Sequence, residues 1–243
     1  MNKKIWIPIV VVVAGLVVAG VATWYFVFRD DAPPAVTLER ATESLDDTDT
    51  ATTATSTPAG IDGTWKVDRT IGSFSDFSSS FAGFRVQEEL VGIGGKTAVG
   101  RTPNVTGTMR IAGSTVPEAS FTVDMTTLTT DDSRRDNAIR MQAIETSRFP
   151  TATFTLTQPI QLGSVPAEGQ KLSVDATGNL TLHGVTKPVT IPLEAQRNGA
   201  VVTVVGSLPI AFSDYSINKP SAATVLSVDD KGVMEVQLRF TKS

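Results

Sequence analysis

The chain has 243 residues, a net charge of −4 and no cysteine, with an isoelectric point near 5.1. That balance excludes the basic footprint of a nucleic-acid binder, and the lack of cysteine excludes disulfides, thiolate nucleophiles and cysteine-based zinc sites. The charge is unevenly spread: Lys3, Lys4 and Arg29 give residues 1–29 a charge of +3, whereas residues 30–61 set seven acids against Arg40 alone.

The first expected element is a membrane span. Ile5 to Phe28 contains no charged residue, and as a helix it would reach about 36 Å, enough for a hydrocarbon core of about 30 Å. Trp6 at one end and Trp24 and Tyr25 at the other stand where an aromatic belt belongs. Lys3 and Lys4 precede the run, while Asp30 and Asp31 follow Arg29. The positive-inside rule then places the N-terminus in the cytoplasm and the rest outside, as a single-pass cell-membrane protein. A cleaved signal peptide is the competing reading, with small residues at Gly20-Val21-Ala22. Against it, Trp24 to Phe28 prolong the apolar run beyond any need of cleavage.

Residues 30–61 are rich in Thr, Ala, Asp and Pro and lack any apolar period. Such a segment buries too little to offset its ordering entropy, so it reads as a flexible tether. Val36 to Leu45 is at most a transient helix.

Residues 62–243 read as the folded domain. Val105, Gly107, Met109 and Ile111 alternate with Thr106, Thr108 and Arg110, and Phe121, Val123 and Met125 with Thr122 and Asp124. The same rhythm runs through Ala152 to Leu156, Leu172 to Leu182, Val189 to Leu193 and Met234 to Phe240. Period two over many segments means half-buried antiparallel strands. Turn residues such as Asn198-Gly199 and Asp229-Asp230-Lys231-Gly232 punctuate them. Two stretches break the pattern. Asp131 to Ile144 predicts a helix capped by Asp132 or Ser133, with Ala138, Met141 and Ile144 on one face and Phe149-Pro150 ending it. A second helix-like piece is expected near Ser79 to Leu90, and Val91 to Asn104 reads as a mobile loop at a barrel mouth. The predicted class is all-β: about eight antiparallel strands with one helical excursion, closed into a barrel or sandwich so that no long edge stays open.

Three segments carry a resemblance to a known family. They are Gly63-Thr64-Trp65-Lys66-Val67-Asp68; Thr129 to Asn137 continuing to Phe149-Pro150-Thr151-Ala152-Thr153-Phe154; and Gly178-Asn179-Leu180-Thr181-Leu182-His183-Gly184-Val185-Thr186-Lys187-Pro188-Val189. Together they resemble the YceI-like family of lipocalin-like, polyisoprenoid-binding proteins. Phe84 to Leu90 and the glycine-rich stretch after it resemble its membrane-anchored actinobacterial members. The resemblance implies an eight-stranded lipocalin-like barrel around a long apolar tunnel that holds an isoprenoid chain in the cell envelope. One departure stands out. The family's Arg-x-Asp-Phe-Gly-type segment corresponds here to Phe212-Ser213-Asp214-Tyr215-Ser216-Ile217, without its arginine.

The candidate site follows. Lumen-facing candidates are Phe121, Val123, Met125, Phe154, Leu156, Leu180 and Leu182. Arg135, within Arg134-Arg135-Asp136, is a head-group candidate because a guanidinium can hold a phosphate bidentately; the alternative is a pairing that fixes the helix to the barrel. His183, the single histidine, is either a head-group contact or a turn residue bonded to backbone. No Gly-x-Ser-x-Gly elbow accompanies it, which argues against a serine hydrolase. Gly95-Lys96-Thr97 lacks the glycine a phosphate loop needs at position 90, which is Leu90. Asp131-Asp132 and Asp229-Asp230 read as turn or cap residues rather than metal ligands. The expected protein is a binding module without cofactor, partnered by a long-chain lipid and, through its N-terminal helix, by the membrane. The rivals are an interaction domain with a filled core and, last, a hydrolase.

Overall fold

A computed structural model describes residues 31–46 and 60–243. The expected membrane span lies outside the described residues; among these, no helix is long and apolar enough to cross a membrane. In chain order the elements are α1 (Leu38–Asp46), β1 (Gly63–Val67), β2 (Phe81–Leu90), β3 (Gly94–Thr102), β4 (Val105–Ala112) and β5 (Thr115–Asp124). A 3₁₀ turn (Met125–Thr127), α2 (Ser133–Ala138) with a π turn (Ile139–Ala143), β6 (Thr151–Leu156), β7 (Ile160–Gln161), β8 (Leu172–Leu182) and β9 (Val185–Asn198) follow. The chain ends with β10 (Val201–Ala211), a second 3₁₀ turn (Phe212–Tyr215), β11 (Val225–Val228) and β12 (Lys231–Lys242).

Eight strands close a ring of antiparallel neighbours: β1, β4, β5, β6, β8, β9, β10 and β12, with β12 returning to β1. β12 serves two neighbours. Its N-terminal part, Val233 to Gln237, pairs with β2, and its C-terminal part, Phe240 to Lys242, pairs with β1. The β2–β3 hairpin therefore continues the wall where β1 stops, and the backbone of Arg101 bridges on to Thr129. Closure removes the free edges that a sheet of this length would otherwise expose.

Each alternating segment named above is a strand or, at Met125, continues directly from one. The irregular segments need correction. Ser79 to Leu90 is not helical: Phe81–Leu90 is strand β2, paired on both sides by β3 and β12. Val91 to Asn104 is mostly strand β3 rather than a loop. The helix at Ser133 forms with Asp132 as its cap, accepting from the Arg134 amide at 2.7 Å. Its buried face, however, carries Asp136, Ile139 and Ala143, while Met141 is 76% exposed. The π turn adds a residue to the helical repeat, and so rotates Met141 away from the barrel.

The segment read as tether also differs. Residues 33–41 lie against the outer face of the barrel. Leu38 and Ala41 are each 1% exposed and pack on Val205 of β10. Arg85 and Arg101 donate to the carbonyls of Pro33 and Pro34 at 2.7 and 3.0 Å. The Val36 amide donates to Glu235 at 3.3 Å, and Arg239 donates to the Ala41 carbonyl. A nine-residue helix is too short to persist alone in water, so α1 exists because the barrel wall offers it this surface.

Candidate functional site

The lumen begins with the pleat. Along β8, Leu172, Val174, Ala176, Gly178, Leu180 and Leu182 all point inward, because side chains two apart share a face. Repeated around eight strands, this gives an interior lined almost wholly by carbon. It is not filled. Two chambers of about 170 and about 140 Å³ remain. An apolar cavity of roughly 150 Å³ is large enough to stay dry and take up a benzene-sized ligand.

Glycines opposite phenylalanines explain why space is left. Phe121 stands opposite Gly107, Phe84 opposite Gly100, and Phe154 lies diagonally from Gly178. A methyl group built on Gly100 would sit 2.3 Å from a Phe84 ring carbon, and one on Gly178 would sit 2.5 Å from Phe154. The rings thus lie back on the bare backbone of neighbouring strands instead of crossing the lumen. Aromatic cover of a strand glycine also shields its backbone from solvent exchange and pins the register.

All seven predicted lumen residues face this space. Phe121, Phe154 and Leu156 line the first chamber, Met125 and Leu182 the second, and Val123 and Leu180 both. The chambers have different ends. Gln170, Gln196 and Arg197 give the first a polar rim. The second is closed by Ile139 and Ala143 of the π turn and by Ile217 and Pro220.

Arg135 and Glu88 bring charge to the second chamber. Arg135 donates to Glu88 at 2.5 Å and also pairs with Asp131 one helical turn back. Burial works against the charge on Arg135, but Glu88 and Asp131 outweigh it and hold the guanidinium above its ordinary range. The cation therefore reaches the lumen already neutralised, and it ties α2 to β2. Asp136 is committed as well, accepting from both the amide and the hydroxyl of Thr130 at 2.7 and 2.8 Å.

His183 is not among the lining residues of either chamber. With Gly184 it forms the two-residue connection between β8 and β9, both at positive φ (51° and 73°), the geometry of a type I′ hairpin turn. Its Nδ1 donates to the Tyr215 carbonyl at 3.0 Å, Nε2 lies 2.9 Å from the Glu145 carboxylate, and its ring meets Phe149 edge-on. The imidazole thus joins three connections at one end of the barrel. Arg101 points outward and is buried between Glu235 and the rings of Phe77 and Phe81.

What sequence reasoning missed are small residues. Ala82 and Ala152 line both chambers; Ala152 lies on the inward half of a segment whose alternation is plain, but neither alanine stands among the predicted lumen residues. Among the described residues no cluster of side chains suited to a metal ion occurs.

A closed eight-stranded antiparallel barrel around an apolar lumen is a lipocalin-like binding architecture. Residues 65–240 match the YceI-like domain, and the chain belongs to that family. Protein YceI of Salmonella arizonae is 39% identical over 83 residues, which are 34% of this chain and 39% of that protein. The match thus spans about two fifths of the length of these curated relatives. Among solved structures, a polyisoprenoid binding domain from Saccharophagus degradans implicated in plant cell wall breakdown shares 22% identity, covering 74% of this chain and 98% of that one, with a TM-score of 0.56. Burkholderia cenocepacia BcnA shares 22% identity over 71% and 98% of the two chains, with a TM-score of 0.52. The likeness to both lies in the fold.

Proposed function

We propose that this protein binds an isoprenoid-type or other long-chain amphiphilic lipid inside its barrel, as a carrier, store or sensor at the cell envelope. The observation that carries the reading is the pair of adjoining apolar chambers, kept open by phenylalanine rings lying back on glycines. Water gains nothing there, whereas a hydrocarbon chain gains about 0.8 kcal/mol per methylene buried. The polyisoprenoid-binding domain of the same fold supports an isoprenoid as the occupant. The head group would meet Arg135 beside Glu88, a pair already neutral overall, while His183 would act only through the turn it holds. Binding rather than turnover is the function that such a lumen supports: the charged groups that reach its second chamber, Arg135 and Glu88, are paired with each other, and its wall offers carbon. The uncharged run Ile5 to Phe28 supports the membrane-anchored type, with the barrel outside.

The test uses the full chain extracted in mild detergent. Native mass spectrometry with lipid extraction should find a copurified long-chain lipid. Phe154→Trp should lower its occupancy while melting changes little, because a chamber has room to lose. If the wild type carries no lipid and the same substitution instead destabilises by ~1–3 kcal/mol, as overpacking of a full core does, the barrel is an interaction domain with a filled core.

A further inference from the structure

The two chambers share five lining residues: Ala82, Val123, Ala152, Leu180 and Met234. Their placement in the ring is specific. Val123, Ala152 and Leu180 come from the consecutive strands β5, β6 and β8, with Val123 directly paired to Ala152 and Leu180 paired to Phe154, two residues on. Ala82 and Met234 come from β2 and β12, which are hydrogen-bonded neighbours. Counted around the closed ring, β6 lies four strands from β12 in either direction. The five residues therefore form a collar in which two walls face each other across the barrel. The collar is where the lumen changes from one chamber to the other, and each wall places an alanine there.

Resting on the lipid-binding reading above, we propose that this collar selects ligands by chain length, and that Ala82 and Ala152 are its specificity-determining residues. A short chain fits within one chamber and need not cross the collar. A long chain must thread it, and the two alanines leave the passage that larger side chains would close. Every methylene that reaches the far chamber multiplies affinity by about fourfold, so closing the collar penalises long chains steeply and short ones little. An alanine side chain offers a head group neither a charge nor a hydrogen bond, so the effect of Ala82 and Ala152 is on length.

The test compares geraniol with solanesol, a short and a long prenyl alcohol with the same head group, binding to the full chain in detergent. Ala152→Leu should weaken solanesol by more than ~tenfold while geraniol stays within ~threefold, the loss expected once two or more methylenes are excluded. Ala82→Val approaches from the opposite wall with a smaller increment and carries the test should Ala152→Leu fail to fold. It should separate the two probes in the same direction. Equal weakening of both probes, or no change in either, overturns the collar while leaving lipid binding standing. Failure of the wild type to bind either alcohol overturns the collar and the lipid-binding reading together.

Discussion

Tyr215 ends β10's 3₁₀ turn 2% exposed, packed in the cluster that includes Met125, Leu128 and Leu182, with its hydroxyl buried and without a hydrogen-bond partner. Burial accordingly pushes that hydroxyl above its ordinary range, with Asp214 adding to the effect. An unsatisfied buried donor costs roughly 1–3 kcal/mol, so Tyr215→Phe should stabilise the protein. The expected gain is about 1 kcal/mol or more, a rise in melting temperature of about 2–4 °C for a domain of this size. A fall in melting temperature would mean that the hydroxyl has a partner in the folded protein. The Tyr215 carbonyl, by contrast, is well used, since it receives His183. The left-handed backbone at His183 is a conformation that histidine tolerates better than most non-glycine residues. The Glu145, Phe149 and Tyr215 contacts give this turn a reason for a histidine rather than the usual asparagine.

At the level of elements, the docked segment before the barrel decides most. Leu38 and Ala41 seal α1 onto Val205, and the preceding prolines present their carbonyls to Arg85 and Arg101. Burial of Leu38 is worth roughly 1.5–3 kcal/mol, large for a helix of nine residues and small for the barrel as a whole. Leu38→Ala should therefore undock α1 locally. Trypsin should cut after Arg40 markedly faster, while melting of the barrel moves by only a few degrees. Cleavage at the wild-type rate would show that the arginine contacts alone hold the segment. This docking also explains what was legible in the sequence. Strands β4, β5, β6 and β8 keep one face in water, so their apolar residues alternate in plain view. The C-terminal half of β3 and the start of β10 have both faces buried. Ala98 to Thr102 are all buried, as are Val202 to Val205, because α1 and neighbouring chain cover their outer side. With no polar face the period of two vanishes there and β3 reads as a loop, while in β2 the inward Glu88 sits between the exposed Gln87 and Glu89 and breaks the alternation, so that β2 reads as a helix. The lumen residues were legible for the converse reason, being the inward half of exposed strands; Ala152 belongs to that alternation but is too small to stand out as a lumen residue, and Ala82 lies in the misread β2.

For the whole molecule, the position of the docked segment bears on topology. Its described part starts at Asp31, two residues after Arg29, which closes the expected membrane span. Pro33, Pro34 and α1 already touch the barrel wall. If Ile5 to Phe28 spans the bilayer, the barrel hangs close to the membrane by its β10–β12 side rather than at the end of the long tether expected from residues 30–61. A lipid leaving the bilayer would then have a short distance to travel to the lumen. The orientation expected from the positive-inside rule keeps Lys3 and Lys4 on the cytoplasmic side, and it is open to direct measurement. A protease added outside intact cells should release a barrel fragment beginning within residues 30–61. Leu38→Ala should speed that release, because a chain clipped after Asp46 is still held by α1 until it undocks. A domain that stays intact until the cells are permeabilised would reverse the assigned orientation. Release at the same rate from wild type and Leu38→Ala would show instead that α1 does not hold the barrel to its anchor.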